Sequence, residues 1–283
     1  MAAVPDIDHD GYDETIADSL LPSGKGKITL FSGKDGQKIW EAQGDSAGDG
    51  FGTSTAAVPD IDGDGVADIV SGAFGYDVAA NGTQKKKKNA GIIKVLSGVS
   101  GTELYRIVGD GFGFSVVDDI DGDQKGDFAV GSPFASPTTA IDGKNVKLAK
   151  AGKITIYSGA DHRVITEKYG STKAAVFGSS LGIMPNIDPL HSSALIVGAP
   201  GNSAGGRNAG AVFVYLNNSK REFPLLFSQS GEQKDAKLGF AVASADTRGS
   251  GTPDLISSAP LYTKNKTKTG RVYVWAVKVD GTL

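Results

Sequence analysis

The chain has 283 residues, of which 39% are hydrophobic and 22% charged, with a formal net charge of −3 and no cysteine. This composition is typical of a soluble globular protein, and no apolar run approaches the ~18 residues that a membrane span requires. The lack of cysteine excludes disulfides and thiolate chemistry, and the weak negative charge argues against general nucleic-acid binding. With 40 glycines, the chain is expected to be a turn-rich β protein.

A short Phe-Gly phrase recurs about every sixty residues and divides the chain into repeats. It occurs as Phe51-Gly52, Phe112-Gly113, Phe177-Gly178 and Leu238-Gly239. The first repeat lacks the phrase, although residues 2–8 closely resemble residues 56–62. The predicted repeats span approximately 1–50, 51–111, 112–176, 177–237 and 238–283, within a single domain over 1–283.

Each repeat contains four short segments with the pattern of strands, always in the same order. In the second repeat these strands follow Phe51-Gly52, then run over 68–73, 91–96 and 103–108. No segment shows helical periodicity. Four antiparallel strands in each repeat favour an all-β fold of β-propeller blades, with a β-solenoid as the alternative. The first blade lacks its opening and the last lacks a fourth strand, so both are expected to be incomplete.

An acidic loop precedes the second strand of three repeats. Its carboxylates occupy loop positions 1, 3, 5 and 9, as Asp6, Asp8, Asp10, Glu14, then Asp60, Asp62, Asp64, Asp68, then Asp119, Asp121, Asp123, Asp127. Position 7, which is Tyr12, Val66 or Lys125, offers a backbone carbonyl. An all-oxygen, flexible ligand set suits Ca²⁺, so about three calcium sites are predicted. The alternative is an Asp/Gly turn that binds no metal.

The remaining two loops depart from the acidic pattern. The fourth repeat keeps one carboxylate after Asn186, whereas the fifth reads Asp246, Arg248, Ser250 and Asp254 and so has a cation at position 3. No tight metal site is expected in either loop.

The Phe-Gly phrases, the Gly198-Ala199-Pro200 sequence and the acidic loops resemble the FG-GAP repeats of integrin α-subunit N-terminal β-propellers and their bacterial relatives, over nearly the whole chain. The resemblance implies a non-catalytic propeller with structural calcium on the face opposite the ligand. Propellers of this family usually have seven blades, whereas this chain has about five. A closed five-bladed ring and a fragment of a seven-bladed propeller are equal alternatives, and strand borrowing from a neighbouring molecule is a third.

The loops between the second and third strands are basic, and in a propeller they lie opposite the acidic loops. They carry Lys25, Lys85, Lys86, Lys87, Lys88, Lys144, Lys147, Lys150, Arg207, Lys264, Lys266 and Lys268, against Asp77 and Asp142. This charge would attract an anionic glycan or an extracellular protein ligand, although solvated lysines are the simpler explanation.

We therefore expect an extracellular or cell-surface protein for adhesion or ligand recognition, without nucleic-acid binding or membrane insertion. One alternative is a structural subunit of a surface layer, filament or larger secreted protein, which would self-associate through its incomplete terminal blade. Another is a lectin-like accessory module of a hydrolase. No enzyme is expected, because the G-x-S-x-G match at residues 178–182 is the local copy of the Phe-Gly phrase.

Overall fold

The computed structural model describes residues 2–21, 23–78, 90–108, 113–117, 125–141, 144–187, 193–217 and 223–276. Every regular element in these ranges is a β-strand. The described residues accordingly include no apolar helix of membrane-spanning length. The chain divides into two compact units, Met1–Val116 and Val117–Leu283.

The first unit contains two four-stranded antiparallel sheets in which the strands follow chain order. One sheet comprises β1 (Ala2–Val4), β2 (Glu14–Ser19), β3 (Lys27–Phe31) and β4 (Lys38–Gln43). The other comprises β5 (Phe51–Val58), β6 (Asp68–Ala73), β7 (Ile92–Leu96) and β8 (Glu103–Val108). All residues of β6 and β7 are buried, as expected of continuous apolar runs, and the core includes Ile16, Leu30, Phe51, Ile69 and Ile92.

A third four-stranded sheet has the order β14-β13-β10-β9. Its strands are β9 (Gly113–Val117), β10 (Asp127–Ser132), β13 (Lys153–Tyr157) and β14 (Val164–Tyr169). A separate hairpin, β11 (Thr138–Ile141) and β12 (Lys144–Lys147), is inserted between β10 and β13. This hairpin belongs to the basic loop of the third repeat.

Two further sheets complete the second unit. One comprises β15 (Ser180–Met184), β16 (Ala194–Ala199), β17 (Ala211–Leu216) and β18 (Leu225–Ser230), in chain order. The last comprises β19 (Val242–Ala245), β20 (Asp254–Ala259) and β23 (Arg271–Trp275), with a small hairpin of β21 (Thr263–Lys264) and β22 (Thr267–Lys268).

The predicted fold class, all-β with four-stranded antiparallel blades of the propeller type, is confirmed. The first blade has all four strands, but β1 has only three residues against eight in β5, in keeping with the missing Phe-Gly opening. The last blade has three strands among the described residues, and the segment after β23, at 277–283, lies outside them.

Glycine at the start of the third strand explains why the opening phrase recurs. Gly152 has a φ of +85°, and a Cβ added there would lie 2.1 Å from the carbonyl oxygen of Phe177, the opening residue of the next repeat. Gly210 has the same relation to Leu238, also at 2.1 Å. In both pairs the two residues form a parallel β-bridge. Only glycine permits this approach, so the repeats are joined by backbone contacts.

Candidate metal centre

Three of the loops between the first and second strands share one hydrogen-bonding frame. We name them the first acidic loop (residues 6–14), the second acidic loop (60–68) and the fifth loop (246–254). In each, the position-1 aspartate accepts a bond from the position-6 glycine amide, with distances of 2.9, 2.9 and 2.7 Å for Asp6, Asp60 and Asp246 respectively. The position-9 carboxylate accepts one from the position-2 amide, at 2.8, 2.7 and 3.2 Å for Glu14, Asp68 and Asp254.

The glycines at position 6 permit this frame. Gly11, Gly65 and Gly251 have φ values of +90°, +88° and +79°, in the left-handed region that other residues rarely adopt. The position-1 and position-9 side chains thus fix the backbone of each loop, and positions 3 and 5 are left to determine the charge inside it.

In the first acidic loop, four carboxylates converge. Oxygens of Asp6, Asp8, Asp10 and Glu14 lie within 4.8 Å of one another. Glu14 is only 1% exposed, and its Oε1 is buried with no hydrogen-bond partner. Burial raises the pKa of Glu14, and its three acidic neighbours add to the rise although the bond from Ile7 opposes it. A cation in this cluster would both satisfy Oε1 and relieve the repulsion.

One basic side chain stands at the edge of this cluster. The Nζ of Lys34 lies 4.0 Å from Asp10, and the Lys34 side chain is 57% exposed. At that distance and exposure an ion pair contributes little, and it does not reach the buried oxygen of Glu14.

The second acidic loop brings Asp60, Asp62 and Asp68 within 4.8 Å of one another. Asp68 is fully buried and accepts bonds from the amides of Ile61 at 2.7 Å, Asp62 at 3.3 Å and Gly98 at 3.0 Å. Its pKa is raised mainly by burial. Asp64 is outside this group, and its Oδ1 accepts a bond from the Val66 amide at 2.9 Å.

The third acidic loop is only partly visible, because Asp119, Asp121 and Asp123 lie outside the described residues. Lys125 is half-buried and Asp127 is fully buried. Asp127 accepts a bond from the Gly159 amide at 3.1 Å, which corresponds to the bond from Gly98 to Asp68. The position-9 aspartate therefore has the same place in both repeats.

Position 7 offers a backbone carbonyl in each acidic loop, and the side chains there differ. Tyr12 is 55% exposed and Val66 is buried at 7%. The amide of Tyr12 donates to Asp10 at 3.0 Å, as that of Val66 does to Asp64. The side chain at position 7 thus differs between the two loops, which is consistent with the predicted metal ligand at this position being the backbone carbonyl.

The fifth loop holds a cation of its own. The guanidinium of Arg248, at position 3, pairs with the fully buried Asp254, with Nη2 at 2.7 Å and Nε at 3.0 Å from Oδ1. The hydroxyl of Thr247 also donates to Asp254. The Arg248 guanidinium and this hydroxyl hold the pKa of Asp254 below its usual range. Sequence reasoning identified the cation but not its partner.

The donor chemistry of the two acidic clusters fits a hard divalent cation. Every side-chain donor is a carboxylate oxygen, whereas Zn²⁺ prefers nitrogen or sulfur ligands and Mg²⁺ retains more of its water.

Sequence reasoning missed the amides of Gly98 and Gly159, which donate hydrogen bonds to the position-9 aspartates Asp68 and Asp127. The recurring Ser-Gly turn at 97–98 and 158–159 was the available signal.

Comparisons with known proteins give one family match and several distant relatives. Residues 51–96 match the FG-GAP repeat family. Integrin alpha-PS5 of Drosophila melanogaster is 29% identical over 209 residues, covering 68% of this chain and 19% of that protein. Integrin alpha pat-2 of Caenorhabditis briggsae is 27% identical over 282 residues, covering 88% and 22%. The chain thus spans about a fifth of the length of the curated relatives it matches.

Among solved structures, a rhamnogalacturonan lyase PL11 of Bacillus licheniformis aligns with a TM-score of 0.46 and 14% identity, covering 86% of this chain and 52% of that one. A similarity at this level carries no argument about activity.

Proposed function

We propose, from the premise that this chain is an FG-GAP repeat protein similar to integrin α-subunits, that it is a non-catalytic, calcium-binding β-propeller for extracellular adhesion or ligand recognition. The observation that carries the calcium part is the first acidic loop. There a buried glutamate oxygen without a partner faces three converging aspartates.

The metal would be held by the position 1, 3, 5 and 9 carboxylates and the position-7 carbonyl of each acidic loop. The residues are Asp6, Asp8, Asp10, Tyr12 and Glu14; Asp60, Asp62, Asp64, Val66 and Asp68; and Asp119, Asp121, Asp123, Lys125 and Asp127. Bound Ca²⁺ supplies positive charge that neutralises these groups. Three such ions would reverse the sign of the formal net charge of −3.

The role proposed for the metal is structural. The loop frame is already closed by backbone bonds to Asp6 and Asp60, so an ion would stabilise the folded state without changing the path of the chain. Loop sites of low affinity suit the millimolar calcium found outside cells, which supports an extracellular location.

Ligand recognition is assigned to the basic loops between the second and third strands. Lys144, Lys147, Lys264 and Lys268 are exposed, and within the described ranges none of them makes an ion pair. Unpaired lysines of this kind produce a positive field that favours an anionic partner, either a glycan or an acidic protein surface.

Calcium stoichiometry tests the metal sites directly. Equilibrium dialysis of the whole protein against about 1 mM Ca²⁺ should give close to three bound ions, in the range of extracellular affinities. Asp62→Asn should remove about one ion, since it deletes a charge inside the second cluster. The matched control, Asp246→Asn, deletes one charge from the fifth loop and should leave the stoichiometry unchanged. A protein that binds no calcium under these conditions would contradict the proposal.

A further inference from the structure

A cleft of about 650 Å³ lies in the second unit, beside the β11–β12 hairpin. It is lined by Pro137, Thr138, Thr139, Leu148, Tyr169 and Ser171. A volume of this size is typical of small-ligand sites and would hold a short oligosaccharide. Neither the acidic loops nor the repeat pattern accounts for this cleft.

Backbone hydrogen bonds fix the walls of the cleft. The amide of Leu148 donates to the carbonyl of Pro137 at 2.8 Å and closes the base of the hairpin. On the opposite wall, the amide of Gly170 donates to Gly152 at 2.9 Å, directly after β14. The amide of Ala174 donates to Ala149 at 2.9 Å and ties the two walls together. A ligand would therefore enter a preformed site, at a low entropic cost.

The lining combines hydroxyl groups with one half-exposed aromatic ring. Thr138, Thr139 and Ser171 can each donate to and accept from sugar hydroxyls. Tyr169 is 50% exposed, and its phenol donates to Glu167. That bond raises the pKa of Tyr169, so the phenol stays uncharged and does not repel an anion. An aromatic ring beside several hydroxyls suits the alternating apolar and polar faces of a sugar.

The charge around the cleft is positive. Lys147 lies directly opposite Thr138 in the hairpin register, so the two side chains are on the same face of the ribbon. The carboxylate nearest Tyr169, that of Glu167, is already paired with Lys153 at 2.8 Å. Lys150 follows the hairpin, with its Nζ 5.8 Å from the ring of Phe134. Lys144, Lys147 and Lys150 are exposed, so an anionic ligand would meet an excess of positive charge among the described residues of this loop.

We propose that this cleft binds a uronic-acid oligosaccharide, with Tyr169 against a sugar ring and Lys147 paired with a sugar carboxylate. The proposal rests on the proposed function, because it specifies the ligand and the place of recognition. A protein partner needs a broad contact of roughly 800 Å² on each side. A concave, hydroxyl-lined cleft of this volume fits a short glycan better.

The test is calorimetric titration of the whole, calcium-loaded protein with trigalacturonate at constant Ca²⁺, with neutral maltotriose as the second probe. Trigalacturonate should bind and maltotriose should not. Tyr169→Ala and the pair Lys144→Gln with Lys147→Gln should each weaken trigalacturonate binding about tenfold, through lost stacking and lost charge respectively.

The chain offers a matched control for charge. Lys234→Gln with Lys237→Gln also removes two charges, from the segment between β18 and β19, which is not one of the basic loops, and should leave the affinity unchanged. The proposal is overturned if trigalacturonate does not bind, if maltotriose binds equally well, or if the control pair loses as much affinity as the hairpin pair. If the protein binds calcium with the expected stoichiometry but does not bind trigalacturonate, the proposed glycan site is wrong and the proposed metal sites are unaffected.

Discussion

The second acidic loop and the fifth loop have the same backbone frame but differ in how they stabilise a buried aspartate. Asp68 and Asp254 are both fully buried at position 9. Asp68 faces Asp60 and Asp62, whereas Asp254 is paired with Arg248. Beside the buried aspartate, position 3 thus carries a carboxylate in one loop and a guanidinium in the other.

The pKa values of the two aspartates express this difference. Burial raises the pKa of Asp68, while the guanidinium of Arg248 lowers the pKa of Asp254. A buried carboxylate is costly unless it is paired. The comparison therefore teaches that this frame accommodates either converging carboxylates or an arginine. Under the proposed calcium binding, calcium dependence would be a property of each loop separately.

The largest expected effect comes from calcium removal. At about 1 mM Ca²⁺ and a Kd of about 0.1 mM, each occupied site contributes ~1.4 kcal/mol, so removing about three ions with chelator should cost ~4 kcal/mol. Hydrogen exchange followed by mass spectrometry should show faster exchange in the two acidic loops at 6–14 and 60–68. Peptides covering 246–254 serve as the internal control and should change little. Equal acceleration of exchange in all three loops would show that the acidic loops and the fifth loop do not differ in calcium dependence.

A smaller loss is expected from Asp68→Ala, which leaves the amides of Ile61, Asp62 and Gly98 without their acceptor. Buried donors without partners cost about 1–3 kcal/mol each, so a loss of about 3 kcal/mol is expected. Thermal melting in the presence of chelator isolates this effect from the metal. The control is Asp64→Ala, which with chelator present removes an exposed carboxylate and its one bond from the Val66 amide, at 2.9 Å. Equal melting temperatures for the two variants would show that the bonds accepted by Asp68 do not stabilise the fold.

A reciprocal exchange at position 3 sharpens the comparison further. Asp62→Arg should give the second acidic loop an internal cation, remove one bound calcium and reduce the fall in melting temperature caused by chelator. Arg248→Asp should do the reverse, since the fifth loop would then present Asp246 and Asp254 with a third carboxylate between them. Calcium stoichiometry and melting with and without chelator measure both changes. If both variants keep the wild-type dependence, position 3 does not determine it.

The smallest effect is a dependence on pH confined to the fifth loop. The folded-state pKa of Asp254 lies below its ordinary value of 3.8, so its pairing stabilises the protein above that pH and is lost as the pH falls through the lowered pKa. The melting temperature of the wild type minus that of Arg248→Gln should therefore be constant from about pH 5 to 8 and shrink below about pH 4. A difference that grows on acidification would have the wrong sign.

Much of the fold could be predicted because it depends on local pattern. The third-strand glycines, such as Gly152 and Gly210, and the apolar runs of β6 and β7 specify strands and their order without reference to distant residues. The acidic loops were equally visible, since their frame involves residues at most eight positions apart, as from Asp60 to Asp68.

Contacts between strands distant in sequence could not be predicted in the same way. Lys94 was included in a predicted strand, but its burial depends on Asp45, to which it donates, and on Glu103 at 3.4 Å. A lysine in the apolar run of β7 signals a partner without identifying it. The cleft beside the β11–β12 hairpin likewise requires Tyr169 from the end of β14, about thirty residues further along the chain.

The glycine junctions also bear on how this chain can change by mutation. The bridges at Gly152 and Gly210 join main-chain atoms, so the side chain of the opening residue is left to fill space. Leu238 stands where other repeats have phenylalanine, and its amide still donates to Ala209 at 2.9 Å, as that of Phe177 does to Ala151. Mutation can therefore replace the aromatic residue of the phrase, whereas the glycine at each of these junctions must be retained.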